Sequence, residues 1–370
     1  MAKRKVQIRA PHYGSVIDYN IFGTEEVVWK RIAKDMNEFG KLLPPKTNKD
    51  SVDSLKLENG GGIYQLTLVL GYSQLNYDLG KVEVRETIGG LGFNTLQNLI
   101  ALNSSICEMM DITSQIGLPT DTFDCLKHSN YYINAEVRKS VVIHRHDNSE
   151  LNLVSKGAKL LGGDYRNKGE IPDARVFTSY PHEEYGGEII MCLEDKIANP
   201  SLEVYLNPGG TQIKEGANKL ADILRSTKLA VMSVSEAIIF LNLDFDISGR
   251  DYVAGACINA LLSRGVKTAV LNDSANGSYS SEGDEVVHLP PFSKGEMGRI
   301  LGVSHDNVNY SGCGDGVFSA MAYMQCFRPD MPLKQRLLFA TAIARIISMI
   351  PESNLENVKP EVIIKTLNSL

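Results

Sequence analysis

The stretch SGCGDGVFSAMAYM, residues 311–324, combines residue types that could handle a phosphate group. Gly312 and Gly314 flank Cys313, Asp315 follows at once, and an apolar run with helical spacing comes next. The first N–H groups of a helix have no partner within the helix and carry partial positive charge. A glycine-rich lead-in also lets another molecule approach the backbone closely. These residues therefore predict an anion site, and phosphate is the usual anion at a helix start.

Asp315 has two interpretations in this setting. A carboxylate repels a bound phosphate, but it has a purpose there if it takes a proton from a hydroxyl that attacks the phosphate. The alternative is that Gly312 and Gly314 form a tight turn and Asp315 only caps the helix. Cys313 is similarly open: its thiol could have a lowered pKa at a helix start, or it is a small residue where alanine would also fit.

A second glycine-rich stretch, TIGGLGFNTLQNLIAL, covers residues 87–102. Gly89 and Gly90 precede Asn94, and a helix follows. Paired glycines let a ligand touch the backbone, and the Asn94 carboxamide can both donate and accept hydrogen bonds. The combination suits a ligand with several hydroxyl groups. A turn followed by an ordinary helix cap is the alternative interpretation.

Composition limits the class of protein. The chain has 370 residues, of which 43% are hydrophobic and 22% charged, as in a globular enzyme with a sizeable core. The net charge of −6 argues against nucleic-acid binding. We predict neither a secretory signal nor a membrane span, and hence a cytoplasmic protein. The six cysteines form no CxxC pair, which argues against a zinc site of that type, and their irregular spacing favours a reducing compartment.

The alternation of elements predicts the fold class. After about residue 175, strand-like runs alternate with helical ones, which predicts a parallel sheet covered by helices on both faces. Ligands of such sheets bind beyond the carboxyl ends of the strands. The chain contains no GxxxxGK[ST] sequence, so it is not a P-loop enzyme, and no GxGxxG follows its first strand.

The first 150 residues are richer in strand signals. We predict a loop or hinge over residues 41–62 and strands over 63–86. Residues 130–147 alternate like a pair of strands. Within them His144 and His146 share a face and could ligate a metal, although we favour a solvated strand end.

Five short stretches resemble, in the right order, motifs of the PfkB family of carbohydrate and nucleoside kinases, the ribokinase-like group. They are GSVIDYN, GGLGFN, MSVSEA, NDSANG and SGCGDGVFSA. The resemblance implies one ribokinase-like kinase domain over residues 1–370: a three-layer α/β sandwich with a mostly parallel central sheet. It also implies a small β-rich lid formed approximately by residues 19–86 and 130–147. Since the strand-like runs in 63–86 lack an obvious partner in a small lid, we predict a homodimer formed through the lid.

The resemblance also implies the activity. This activity is transfer of the ATP γ-phosphate to a hydroxyl of a sugar or nucleoside. Mg²⁺ would be a cofactor, and a monovalent cation could be a further one. Asp315 would be the catalytic base, and the backbone of Gly312, Cys313 and Gly314 would hold phosphate charge in the transition state. The remaining site residues implied are Asp18, Gly89, Gly90 and Asn94 for the acceptor, and Ser233, Glu236, Asn272, Ser274 and Gly277 for the nucleotide, with Glu236 acting on magnesium through water.

The chain departs from the family pattern on the nucleotide side. The asparagine of the NxxE motif is Ser233, and the TxGxxG stretch, residues 272–277, has lost one glycine. The aspartate that usually begins the late signature is Asn309. These changes favour a second hypothesis, a non-catalytic relative that binds a sugar or nucleotide as a sensor or assembly partner. The intact Asp315 and its glycines favour the kinase.

Overall fold

The computed structural model describes residues 4–10, 16–42, 51–52, 54–70, 73–106, 110–119, 131–133, 139–144, 150–155, 171–178, 190, 192–244, 250–273, 276–283, 285–291, 311–350 and 354–368. The strands are β1 (Arg4–Ala10), β2 (Val16–Phe22), β3 (Ser51–Val52), β4 (Ser54–Gly60), β5 (Ile63–Leu70), β6 (Ser73–Gly80), β7 (Glu83–Gly89), β8 (Met110–Pro119), β9 (Tyr131–Ile133), β10 (Lys139–His144), β11 (Glu150–Ser155), β12 (Ala174–Thr178), β13 (Glu203–Asn207), β14 (Thr227–Ser233), β15 (Thr268–Asn272), β16 (Ser278–Glu282) and β17 (Glu285–Leu289). The helices are α1 (Glu26–Leu42), α2 (Leu91–Ile106), α3 (Gly210–Glu215), α4 (Ala221–Ser226), α5 (Val234–Leu241), α6 (Arg250–Ser263), α7 (Cys313–Phe327), α8 (Leu333–Ser348) and α9 (Pro360–Asn368).

A nine-stranded sheet forms the centre of the fold, in the order β17-β16-β15-β14-β13-β12-β1-β8-β9. Its strands from β15 to β9 pair in parallel, and only β16 and β17 are joined by antiparallel ladders. The strands β12 to β15 are short and almost entirely buried, as expected for parallel strands covered on both faces.

Two apolar cores lie on the two faces of this sheet. Val176 and Val231 face the core shared with α2, α7 and α8. Val204 and Ala230 face the other core, which α3, α4, α5 and α6 complete. Because neighbouring residues of a strand point to opposite faces, β14 contributes Ala230 to one core and Val231 to the other. The predicted three-layer α/β sandwich with a mostly parallel sheet is confirmed.

Two smaller sheets and α1 make a separate apolar core. One sheet has the order β3-β11-β10-β2-β7, and the other has the order β4-β5-β6. On α1, Val28, Ile32 and Met36 recur every fourth residue and form the face that joins the same apolar core as Leu68 of β5 and Ile143 of β10. The long first segment of the chain therefore brings its own helix and hairpins to cover one face of the five-stranded sheet.

The loop predicted over residues 41–62 is wrong for its second half, because Ser54–Gly60 is strand β4. It pairs antiparallel with β5 along its whole length, and Leu55 is buried in the shared core. Its apolar residues alternate with Lys56 and Glu58, which form an exposed ion pair on the other face. These charges made the segment resemble a solvated loop.

Residues 130–147 contain two strands, as predicted, but the expectation that these two pair with each other is wrong. Strand β9 pairs with β8 at the edge of the large sheet, whereas β10 pairs with β2 and β11 in the five-stranded sheet. Alternation alone identifies strands but does not identify their partners. His144 is the last residue of β10, and His146 lies outside the described residues.

Charged residues meet at the amino ends of the central strands. Glu203 pairs with Arg4 and Lys228 and accepts a hydrogen bond from the Tyr205 hydroxyl. That hydroxyl lies 3.3 Å from the thiol of Cys326, and burial raises the pKa of Cys326 to about 11. The cluster ties β1, β13 and β14 to the end of α7.

In the described ranges, no helix is both long and apolar enough to cross a bilayer.

Candidate active site

Helix α7 begins in the way the glycine-rich stretch predicts. Gly312 is its N-cap and has φ 77° and ψ −6°, a left-handed conformation that glycine adopts without strain. Gly312 offers no side chain to cap the helix, and a Cβ atom added to Gly314 would meet no atom of the described residues within 4 Å. The backbone at the positive end of α7 is therefore open to a close approach by an anion.

The Asp315 carboxylate is held by two side chains from other elements. Asn94 Nδ2 donates to its Oδ2 at 2.9 Å, and Asn207 Nδ2 donates to its Oδ1 at 3.2 Å. Asp315 is only 8% exposed, so its carboxylate is oriented within the protein interior by these two bonds. These bonds connect the start of α7 to α2 and to the end of β13.

The second glycine motif forms the turn into α2. Gly90 has φ 97°, and its carbonyl accepts the first helical hydrogen bond, from Asn94 N at 2.9 Å. Asn94 itself lies one turn inside the helix, so it is not the cap that the alternative interpretation required. Its side chain reaches Asp315 instead. The two glycine motifs, far apart in the chain, therefore meet through one side-chain hydrogen bond.

The strands before α2 bring Asp18 near this turn. In the antiparallel ladder of β2 and β7, Asp18 lies opposite Thr87, and Val16 lies opposite Gly89. The backbone of Asp18 is thus two residue positions from that of Gly89 across the ladder. Two residues that the resemblance assigns to one acceptor are therefore neighbours on paired strands.

Ser233 and Glu236 form a capping box at the start of α5. Ser233 N and Oγ both donate to Glu236 Oε2 at 2.8 Å, and Glu236 N donates back to Ser233 Oγ at 3.2 Å. The pattern S-x-x-E is itself a local signal for this arrangement. Ser233 therefore fixes the Glu236 carboxylate at the end of β14.

The loop after β15 lies next to that capping box, because Asn272 is the register partner of Ser233. Asn272 Oδ1 accepts a hydrogen bond from Ser278 Oγ at 3.0 Å. Gly277 has φ 94°, and a Cβ atom there would lie 2.0 Å from the carbonyl oxygen of Leu289. This glycine is therefore required by the backbone. Ser274 and Asn309 lie outside the described residues.

Sequence reasoning missed two residues of this site, Asn207 and Asn354. Asn207 is the last residue of β13, and a polar residue at the carboxyl end of a parallel strand was a usable signal. Asn354 Nδ2 donates to Asn94 Oδ1 at 3.2 Å, and no local pattern around it indicates this contact. In the parts of the chain that the structure describes, no three His, Cys, Asp or Glu residues form a group that could hold a metal ion.

Neither a protein-family model nor a curated protein matches the chain. Solved structures do match. Ribokinase of Arabidopsis thaliana complexed with ribose and ATP has a TM-score of 0.62 at 13% identity over 99% of both chains. Phosphofructokinase-2 of Escherichia coli matches with a TM-score of 0.61 at 12% identity over 99% of both chains. The nucleoside kinase of Methanocaldococcus jannaschii matches with a TM-score of 0.58 at 13% identity over 100% of both chains. The chain has the ribokinase-like fold. The resemblance seen in the sequence motifs is thereby confirmed at the level of the fold.

Polar residues at the ends of three strands lie along one edge of the central sheet of this ribokinase-like fold. Asn207, Ser233 and Asn272 are the last residues of three adjacent parallel strands, so they lie at the same edge. The hydrogen bond from Asn207 to Asp315 places the start of α7 there too. A candidate active site with an oriented carboxylate, an open helix N-terminus and a second carboxylate at Glu236 results.

Proposed function

We propose that the chain is an ATP-dependent phosphotransferase that moves the γ-phosphate to a hydroxyl of a sugar or nucleoside, with Asp315 as general base. The observation that carries this proposal is the Asn94–Asp315 hydrogen bond, which joins the two glycine motifs into one site. The structural neighbours, a ribokinase complexed with ribose and ATP, a nucleoside kinase and a phosphofructokinase, support the same class of reaction.

The proposed chemistry uses groups at the start of α7. An oxygen of the Asp315 carboxylate takes the proton of the acceptor hydroxyl while that hydroxyl's oxygen bonds to the γ-phosphorus. The bond between this phosphorus and the β–γ bridging oxygen breaks, and ADP leaves. Backbone N–H groups of residues 312–314, at the positive end of the helix, stabilise the negative charge that develops on the transferred group.

The residues present fit a nucleotide with a divalent cation. The open backbone at Gly314 can approach phosphate oxygens, and Glu236 offers a carboxylate, the ligand type Mg²⁺ prefers. We propose that Glu236 holds Mg²⁺ through water and that Ser233, Asn272, Ser274 and Gly277 lie along the nucleotide. When bound, Mg²⁺ neutralises charge on the phosphate oxygens.

The acceptor side of the proposal consists of Asp18, Gly89, Gly90 and Asn94. Its support is the ladder of β2 and β7, which brings Asp18 beside the glycine turn, and the position of Asn94 against the base. An acceptor hydroxyl that these groups orient toward Asp315 would attack at a lower entropy cost. The polar character of these groups suits a polyhydroxylated acceptor.

ATP with Mg²⁺ should stabilise the folded protein and be consumed in the presence of the right acceptor. At a ligand concentration of about a hundred times Kd, the stabilisation is about 2.7 kcal/mol, which raises Tm by several degrees. The measurements are calorimetric titration, thermal shift, and a screen of sugars and nucleosides for ATP consumption. A folded protein with no heat of binding and no thermal shift would exclude the kinase. Binding without consumption of ATP for any acceptor would favour the non-catalytic relative.

We also propose a homodimer through the lid, although the strands that suggested it in the sequence do not lack partners. The strands of residues 63–86 find partners within the chain, since β5 pairs with β4 and β6, and β7 pairs with β2. The end strands of the smaller sheets, such as β7 and β6, are the edges that a second subunit could extend. Light scattering at micromolar concentration should give twice the chain mass of 40.7 kDa. The mass of a single chain would contradict the dimer.

A further inference from the structure

Three side-chain groups behind the candidate site form one directed row of hydrogen bonds. Glu356 N donates to Asn354 Oδ1 at 2.9 Å, Asn354 Nδ2 donates to Asn94 Oδ1 at 3.2 Å, and Asn94 Nδ2 donates to Asp315 Oδ2 at 2.9 Å. Asn354, Asn94 and Asp315 are 2%, 4% and 8% exposed. The row therefore runs through the protein interior, where a misdirected amide is costly.

The direction of this row follows from its two ends. The oxygen and nitrogen of a carboxamide look nearly alike, so one amide alone could be placed either way round. Here the row starts at the backbone N–H of Glu356, which can only donate, and ends at the Asp315 carboxylate, which accepts when ionised. With these ends, both Asn354 and Asn94 must present their oxygens toward Glu356 and their nitrogens toward Asp315.

A second bond ties the same segment to α2. Leu355 N donates to Asn98 Oδ1 at 2.8 Å, and Asn98 lies four residues after Asn94 on the same face of the helix. Asn98 and Leu355 are both fully buried. The segment at 354–355 is therefore docked by two adjacent side chains of α2, and only one of them continues to Asp315.

We propose that Asn354 is a positioning residue that fixes the Asn94 carboxamide so that its nitrogen faces Asp315. The effect of this positioning role on turnover rests on the proposed function. After Asp315 accepts a proton, its protonated oxygen can donate a hydrogen bond. An unrestrained Asn94 carboxamide would then rotate so that its own oxygen accepts that bond. By occupying Asn94 Oδ1, the Asn354 amide opposes that rotation, which favours release of the proton and return of the carboxylate to one place.

The first test is independent of catalysis. In protein carrying ¹⁵N in its asparagine side chains, the Asn94 amide signal is identified by its loss in Asn94→Asp. Asn354→Asp keeps the shape and the acceptor for Glu356 N but, when ionised, cannot donate to Asn94. Asn354→Leu removes the donor without adding a charge. In both variants, hydrogen exchange of the Asn94 amide should be about fivefold faster or more, the equivalent of one lost hydrogen bond.

Asn98→Ala is the matched control, because it cuts the other bond between the same two segments. It should lower Tm as much as Asn354→Leu does, with Asn94 exchange within about twofold of the parent. In turnover assays, the Asn354 variants should lose about tenfold in kcat with little change in KM for ATP, as expected for a displaced catalytic group.

The outcomes separate this inference from the proposed function. If the Asn354 variants match Asn98→Ala in exchange of the Asn94 amide, the positioning role is wrong, whatever the turnover shows. If an active parent keeps its kcat in both Asn354 variants, the role is equally wrong. If Asn94 exchange accelerates as expected but neither parent nor variants consume ATP, the positioning role stands and the kinase proposal fails.

Discussion

Asp315→Asn should lower turnover by about a hundredfold or more, the usual scale for a positioned base. The substituted carboxamide has nearly the size of the carboxylate but cannot accept the proton of the acceptor hydroxyl. ATP should bind as well or slightly better, because one negative charge near its phosphates is gone. The measurements are kcat and the Kd for ATP with Mg²⁺. Parent turnover in this variant would mean that Asp315 is not the base.

A control is needed because Asp315 also accepts two hydrogen bonds, from Asn94 and Asn207. A carboxamide has one acceptor oxygen, so Asp315→Asn leaves one of the two amides without an acceptor, and Tm should fall slightly. Asn207→Ala removes one of the same bonds but keeps the carboxylate. It should lower Tm to a similar extent while losing much less turnover. Equal losses of turnover in the two variants would point to local disorder and not to a missing base.

Gly277→Ala should destabilise the protein by about 2–5 kcal/mol and weaken ATP binding. The left-handed backbone, with φ 94°, costs about 1–2 kcal/mol for any residue with a Cβ atom. The added methyl would lie 2.0 Å from the Leu289 carbonyl oxygen, so the loop between β15 and β16 must move, at a further cost of about 1–3 kcal/mol. Denaturant unfolding and an ATP titration measure the two effects.

Gly283→Ala is the matched control for Gly277→Ala. Gly283 also has a positive φ, 79°, in the next turn of the same pair of hairpins, but a Cβ atom there meets nothing within 4 Å. This variant should carry only the backbone cost and leave ATP binding unchanged. If both variants lose the same stability and neither changes the affinity for ATP, the loop at Gly277 is not part of the nucleotide site.

Elements with strong local periodicity could be predicted from the sequence. Helices α7 and α8 and the buried strands β12 to β15 lie where the alternation after residue 175 indicates. Their apolar spacing reflects contacts made on both faces of one sheet, so each segment carries its own signal. Strand β4 carried no such signal, because Lys56 and Glu58 occupy its exposed face and hide the alternation of Leu55, which is buried, and Leu57, which is partly buried.

The glycine turns before α2 and α7 could be predicted from the sequence for a similar reason. Gly90 and Gly312 adopt left-handed backbone conformations at the starts of α2 and α7, a requirement local to each turn. The order of the motifs along the chain sufficed to indicate the ribokinase-like fold. The sequence also contained the capping-box pattern of Ser233 and Glu236, which competes with a nucleotide role for the same carboxylate.

The partners of Asp315 were decided by tertiary structure alone. Asn207 and Asn94 are 108 and 221 residues away in the chain, and Asn354 is 260 residues from Asn94. A hydrogen bond between such distant residues leaves no periodicity in the sequence, because neither residue's neighbours need to change for it to form. Residue types and spacing therefore determined where an anion and a base could be. Packing of α2 and β13 against α7, and of the segment before α9 against α2, determined which groups orient that base.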